Sequence, residues 1–444
     1  MTEQLTRRRF LTLAGAGATM LATAGCGATY DVAGGFVSPA SGRNRTTLIY
    51  WNLLSGGDGQ HMQEMEQAYR RSHPHDALDA TVLQWGNPYY TKLAMAIRAG
   101  SPPDIAIMHL TRLPEFVPAK LLQPFDMGEL AAHGMRPSDF TPLAFRKAHV
   151  GGRLYAIPLD THPFVQYFNT KICRKAGLLD SSGMLKPIVG QQALLTVLRK
   201  LRSLKGVTPV VCDTLNDPAT PWRLFYTFYS QAGGKVLADN GKRVVLDRPL
   251  SLRVLSFIAQ LAREGLMNAN VDANGGVAAF SQGSSALYWE GEWNVDVFLA
   301  AKLPFSMQPF PTVFGRNLTQ ADSHTFVMPV QPTHDPERTA MALTFIRSLL
   351  GQSLTWASGG HIPAWLPVRH SAAYHKLKPQ SNYASVANHV VYDPPAWYSG
   401  SGSNLEVFAG GAIAGVMTGT STPTAAYDQM HSSLVALSKQ ASPV

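Results

Sequence analysis

Five consecutive residues, Trp289-Glu290-Gly291-Glu292-Trp293, put two indoles and two carboxylates within reach of one small molecule. Aromatic rings bring large apolar area at low rotamer cost. Ionised carboxylates make stronger hydrogen bonds to hydroxyls than neutral acceptors do. The two together suit a ligand with C–H faces and a rim of hydroxyls. In an extended segment Trp289, Gly291 and Trp293 share one side, and Glu290 and Glu292 the other. A packed core tryptophan beside solvated glutamates is the competing reading. Two glutamates also raise glycoside hydrolysis, whose carboxyls stand ~5–5.5 Å or ~6.5–9.5 Å apart. At i and i+2, however, they point the same way and do not flank a bond from opposite sides. No H-E-x-x-H, G-x-S-x-G or Walker A pattern occurs. His73-Pro74-His75-Asp76 carries metal-capable side chains but reads as a solvated helix end. The sequence therefore assigns no catalytic residue, no metal and no cofactor.

Other candidates sit where strands should end. In Ser55-Gly56-Gly57-Asp58-Gly59, Ser55 and Asp58 offer polar contacts while Gly57 lets backbone come close; a plain turn is the alternative. Trp85, His109, Asp160 and His162 fall at further strand ends or at an expected hinge, and Gly360 and His361 in a Gly-Gly-His segment. Trp397 lies in a Pro/Gly/Ser-rich loop, the kind of segment that carries binding residues.

The elements that must position them alternate. Thr47–Trp51 reads as a strand, followed by helical spacing at Met62, Met65, Ala68 and Tyr69. Ala80–Trp85 is a second strand, then a helix over 88–99 with Asn87 as N-cap and Pro88 at its first position. Pro103–Met108 is a third strand. Such alternation predicts an α/β sheet with ligand sites at the carboxyl ends of its strands. Further on come a hairpin at Gly151-Gly152, an extended run Phe164–Asn169, helices near 191–203, 250–263 and 337–350, and strands within 277–293 and at 325–329. Pro309 and Pro311 keep Met307–Pro311 extended.

The chain has 444 residues, enough for two or three domains. With 45% hydrophobic and 15% charged residues it is a folded protein, and no apolar run reaches the ~20 residues of a membrane span. Net charge is +9, but Lys and Arg are scattered, which excludes a nucleic-acid footprint. Residues 1–25 combine Arg7-Arg8-Arg9 with an apolar, small-residue stretch, an export signal. Leu21-Ala22-Thr23-Ala24-Gly25-Cys26 resembles a lipoprotein box following a twin-arginine signal, with Cys26 as the lipidated residue. Ala22-Thr23-Ala24 also reads as an ordinary signal-peptidase site. Residues 26–46 then form a Gly/Ser/Ala-rich tether that would hold a domain at the outer face of the cytoplasmic membrane. Cys173 and Cys212 stand either as separate thiols or as a pair.

Taken in order, these segments resemble extracellular solute-binding protein family 1, the carbohydrate receptors of ABC importers. The resemblance rests on the signal, the strand ending in Ser55–Gly59, Ala99-Gly100-Ser101-Pro102-Pro103-Asp104-Ile105, Tyr155-Ala156-Ile157-Pro158 before Tyr167-Phe168-Asn169, Gly291-Glu292-Trp293, and Gly359-Gly360-His361-Ile362-Pro363-Ala364. It implies an α/β, two-lobed periplasmic-binding-protein-like fold of type II, maltose-binding-protein-like, with a hinge and a central cleft. Lobe one would comprise 47–157 plus 310–355 and lobe two 158–309 plus 356–444, crossing near 157–160, 307–311 and 353–358. It also implies a monomer that captures a mono- or oligosaccharide and delivers it to permease subunits with a cytoplasmic ATPase, with no catalysis. Scarce clustered arginine argues against a phosphate ligand and leaves room for an amino sugar. A polyol or glycerophosphodiester ligand, and a secreted glycan-active hydrolase, remain alternatives.

Overall fold

The computed structural model describes residues 47–443. The signal, Cys26 and the tether lie outside the described residues. In chain order the elements that matter are β1 (Thr47–Asn52), α1 (Gly56–Ser72), β2 (Ala77–Val82), α2 (Asn87–Arg98), β3 (Ile105–His109), β4 (Leu122–Gln123), β5 (Ile157–Pro158) and β6 (Asp160–Asn169). There follow α3 (Gln191–Arg202), β7 (Thr208–Val211), α4 (Ala219–Gln231), α5 (Arg248–Arg263), β8 (Met267–Asn268), α6 (Ala273–Ser281), β9 (Ser285–Gly291), β10 (Phe305–Pro309), β11 (Thr319–Asp322) and β12 (His324–Pro329). The chain ends with α7 (Pro336–Gly351), α8 (Ser353–Ser358), β13 (Ile362–Pro363), β14 (Val390–Val391), α9 (Gly411–Met417) and α10 (Pro423–Ser438).

Two sheets organise the molecule. The first runs β2-β1-β3-β12-β4, with β5 also paired to β12; β1 is parallel to both its neighbours, and β12 is antiparallel to β3. β3 is buried along its whole length, as expected of a strand covered on both faces. The second runs β8-β7-β9-β6-β11-β14, with β10 and β13 also on β6. Helix α4 is the pillar of this half. Every residue in it but Arg223 is buried, the environment an all-round apolar helix requires. Asp247 and Asp335 cap α5 and α7, each ahead of a proline in the first turn. α2 departs from expectation: Gly86, at φ 89°, is its N-cap and Asn87 is already helical. A side chain would be strained there, so glycine takes the position.

The ten-residue strand β6 carries the chain from one half to the other. Its first residues face β13 (Thr161 opposite Ile362) and β11 (His162 opposite Asp322), and its remainder faces β9 and β10. The crossing expected at 307–311 is not there, because Met307–Pro309 pairs inside the second sheet. β11 stays in the second sheet and β12 joins the first, so the chain crosses at Ser323. The stretch 277–293 also divides: α6 occupies its start, and a 3-10 turn at Glu292–Asn294 ends the strand before Trp293. Cys173 and Cys212 are both buried and unpaired, and burial pushes the Cys173 thiol up to about 12.

Candidate ligand-binding site

Where the chain crosses, Asp160 gathers nitrogen. Its Oδ1 accepts from His162 Nδ1 at 3.1 Å and from the His324 backbone N–H at 2.8 Å. Its Oδ2 lies 2.7 Å from His324 Nδ1, 2.7 Å from Trp356 Nε1 and 3.3 Å from His361 Nδ1. β6 supplies Asp160 and His162, β12 supplies His324, and the turn after α8 supplies His361. Burial opposes ionisation of Asp160, but the neighbouring His324 and His162 outweigh it and hold the carboxyl well below its ordinary range. His361 Nε2 also bonds Asp58, at 2.9 Å, in the first turn of α1. Although burial opposes its charge, Asp58 and Glu292 raise the His361 pKa well above the ordinary value. Glu292 Oε1 is 2.9 Å from His361 Nδ1, without hydrogen-bond alignment. Gly360 has φ 118°, and a Cβ there would overlap the Glu292 carbonyl; only glycine fits.

Glu290 and Glu292 do not act on one face. The turn after β9 sends Glu292 to His361, whereas Glu290 accepts from Thr220 Oγ1 at 2.6 Å and from Arg223 at 3.3 Å, both on α4. Burial lifts the Glu290 pKa to about 7 against the pull of Arg223. Trp289 belongs to the core, its Nε1 donating to Gln166. Trp293 is half-buried, 4.9 Å beneath the Arg223 guanidinium and edge-on to His162, and its ring covers Gly291. Around Arg223 the buried acids Asp393 and Glu406 are pushed up to about 7 and about 8 by burial.

A cavity of about 790 Å3 opens between α2 and the loop 397–404. The first half contributes Asn87, Tyr90, Arg112 and Glu115, and the second half Trp397 and Asn404. Arg112 lies 4.2 Å over the Tyr90 ring and pairs with Glu115 at 2.5 Å, yet its buried Nε has no partner. Tyr90 Oη and His109 Nδ1 are 2.6 Å apart, which turns the His109 ring inward. Burial, then His324 and His162, drives the His109 pKa well below its ordinary value, so this ring is neutral. In the cavity wall Asn87 donates to Asn404 at 3.3 Å, and next to Arg112 in sequence Thr111, with Ser401, donates to the buried Asp322.

The structure thus brings Asp58, Asp160, His162, Glu292, Gly360 and His361 together. It sets His109 and Trp397 near the cavity and keeps Glu290, Gly291 and Trp293 around Arg223. Gly57 faces Asp296, Trp85 is 44% exposed with its edge toward His109, and Ser55 is exposed without a capping bond. Sequence reading missed His324, Asp322 and Asn404. The signal for the first two was the polar run Asp322-Ser323-His324-Thr325 inside an otherwise apolar strand context.

The site lies where two α/β halves meet. Over residues 84–378 the sequence matches the bacterial extracellular solute-binding proteins, and the chain belongs to that family, whose members bind solutes rather than transform them. It is 22% identical over 272 residues, 60% of this chain, to the maltotriose-binding protein of Pyrococcus abyssi (strain GE5 / Orsay); the match spans about half, 54%, of that relative. The fold is similar to the GacH receptor of Streptomyces glaucescens GLA.O, solved unliganded and with acarbose, at a TM-score of 0.74, 17% identity, and 89% and 98% coverage of the two chains. It is similar too to the cyclic alpha-maltosyl-1,6-maltose binding protein from Arthrobacter globiformis, at 0.69, 17%, and 88% and 99%. The two-lobed, maltose-binding-protein-like fold follows from these likenesses, and membership of an extracellular family makes this an exported protein.

Proposed function

We propose that this chain is the substrate-binding lipoprotein of an ABC importer, anchored through Cys26 and capturing an oligosaccharide between its halves for delivery to a permease. The observation that carries this reading is the cavity of about 790 Å3, walled from both sides by aromatic rings (Tyr90, Trp397) and polar groups (Arg112, Glu115, Asn87, Asn404). Rings suit sugar faces, and the amides of Asn87 and Asn404 suit hydroxyls. The names of the relatives, maltotriose and maltose-type glycans among them, support a glucan-like ligand. The first lobe would comprise 47–158 with 324–351, and the second the remainder after the crossings. The acids Asp393, Glu406 and Glu290 near Arg223 favour a second reading, an amino sugar whose ammonium would lie on that side.

A thermal-shift panel on the full chain tests both. Maltotriose, larger maltodextrins, amino sugars, polyols and glycerophosphodiesters are the probes. A ligand at ~100 times its Kd adds about 2.7 kcal/mol and shifts the melting curve visibly. Trp397→Ala should weaken the hit about 10–100-fold, from roughly 1.5–3 kcal/mol of lost aromatic burial, with the melting of the free protein little changed. Stabilisation only by phosphodiesters, or affinity untouched by Trp397→Ala, would overturn the carbohydrate cavity.

A further inference from the structure

The Asp160 cluster holds more nitrogen than its carboxylate can use. Five nitrogen atoms lie within 3.3 Å of its two oxygens: the Nδ1 atoms of His162, His324 and His361, the His324 backbone nitrogen, and Trp356 Nε1. A carboxylate has about four lone-pair sites. His361 Nδ1 is buried with no aligned hydrogen-bond partner, and both oxygens of the buried Glu292 are in the same condition, one of them 2.9 Å from that nitrogen. Metal-capable atoms of Asp160, His162, His324 and His361 all lie within 4.8 Å of one another. A tetrahedral ion with bonds of ~2.0–2.1 Å has ligands roughly 3.3–3.4 Å apart. The imidazoles stand 2.7–3.3 Å from Asp160, His324 and His361 on Oδ2 and His162 on Oδ1, so a shared ion would require the carboxylate to turn and the ring nitrogens to move outward from it.

We propose that Asp160, His162, His324 and His361 form a zinc site at the joint between the two sheets. Three imidazoles and one carboxylate are a ligand set for a borderline cation such as zinc and a poor one for calcium or magnesium, which require oxygen. Asp58 supplies the outer support: it accepts from His361 Nε2 at 2.9 Å, so that a metal replacing the Nδ1 proton would meet a lone pair directed toward Asp160. Zinc in place of the crowded N–H groups would turn competing donors into ligands. It would also fasten β12 of the first sheet to β6 and to the segment before β13 in the second. Neither the identity of the carried solute nor the cavity near Trp397 enters this inference.

The test uses the full chain, stripped with a chelator and dialysed, then titrated with zinc sulfate alone and read by calorimetry and by elemental analysis after desalting. One zinc per chain with a submicromolar Kd is the expected result, and cobalt(II) loaded in its place should give the intense visible bands of a four-coordinate site. His324→Gln and Asp160→Asn should each weaken zinc binding at least about 10–100-fold. Because Asp160→Asn also disturbs buried bonds, His324→Gln with an unchanged metal-free melting curve is the decisive variant. A His73→Ala/His75→Ala double variant should leave binding intact. Less than a tenth of a zinc per chain, zinc lost only in the His73/His75 variant, or unchanged affinity in His324→Gln would overturn the site. Sugar binding that survives any of these outcomes leaves the receptor reading standing, so the two failures are separable.

Discussion

Glu66, on the inner face of α1, shows what burial does to one carboxyl. It is only 7% exposed, and desolvation lifts its pKa from 4.5 to about 7, with Arg70 pulling weakly the other way. The folded state thus disfavours the charge. Below pH ~4.5 the group is protonated folded or unfolded and costs nothing; from there to pH ~7 stability falls as the unfolded chain ionises first, and above 7 the loss is complete. A shift of that size is on the order of 3 kcal/mol. Glu66→Gln should therefore raise unfolding free energy at pH 8 by on the order of 2–3 kcal/mol and leave it nearly unchanged at pH 4; urea melts at the two values decide, and an equal change at both would sink the account. At this scale the sequence was a partial guide. The structure places Asp160, His162 and His361 in one cluster, and the sequence offers them as strand-end, hinge and Gly-Gly-turn candidates. Trp289 and Glu290 were legible only as a type of chemistry, since strict alternation could not show that a 3-10 turn ends the strand one residue past Gly291.

Elements were easier to foresee than their contacts. The α5 stripe of Val254, Leu255, Ile258 and Leu261 announces its buried face, and Pro249 and Pro336 announce helix starts. Nothing local, however, reveals that the π-helical turn Glu406–Gly410 leads α9 against the start of α4. There a Cβ on Gly410 would overlap the Pro218 carbonyl, backbone against backbone, with no flexible side chain to yield. Gly410 has ordinary helical dihedrals (φ −61°), so its role is close approach and not left-handed geometry. Gly410→Ala must push the turn off α4, and we expect a loss of about 3 kcal/mol in denaturant melts, at the upper end of overpacking costs. A loss below about 1 kcal/mol would mean that the turn is free to slide. The crossing expected at 307–311 moved because two prolines mark an extended segment without saying which sheet receives it.

For the whole molecule, the order of segments announced two α/β halves, while the bonds that hold them together join residues 235 and 303 positions apart and leave no local trace. His61 on α1 meets Asp296, beyond β9, at 2.7 Å, and Gly57 admits the same carboxylate where a Cβ would stand 3.0 Å away. The Asp296 bond raises the His61 pKa; burial works against it, Glu64 at 4.0 Å adds to it, and His361 subtracts. The contact joins α1 to the segment after β9; if it breaks when the halves part, the closed state binds this proton more tightly than an open one. Its contribution to closure is complete below the ordinary imidazole value of ~6.5 and disappears as pH rises through the raised value. Closure is therefore favoured in mildly acidic solution, and any solute that binds the closed state gains affinity there. Small-angle scattering of the ligand-free chain should show a radius of gyration that grows from pH 6 to pH 8. In Asp296→Asn the growth should flatten, with the pH 6 value moved toward the open one. A radius independent of pH in the unmodified chain, or an identical pH trend in Asp296→Asn, would show that the His61 pair does not govern closure and would leave that task to Asp58 with His361 and to the Asn87–Asn404 contact.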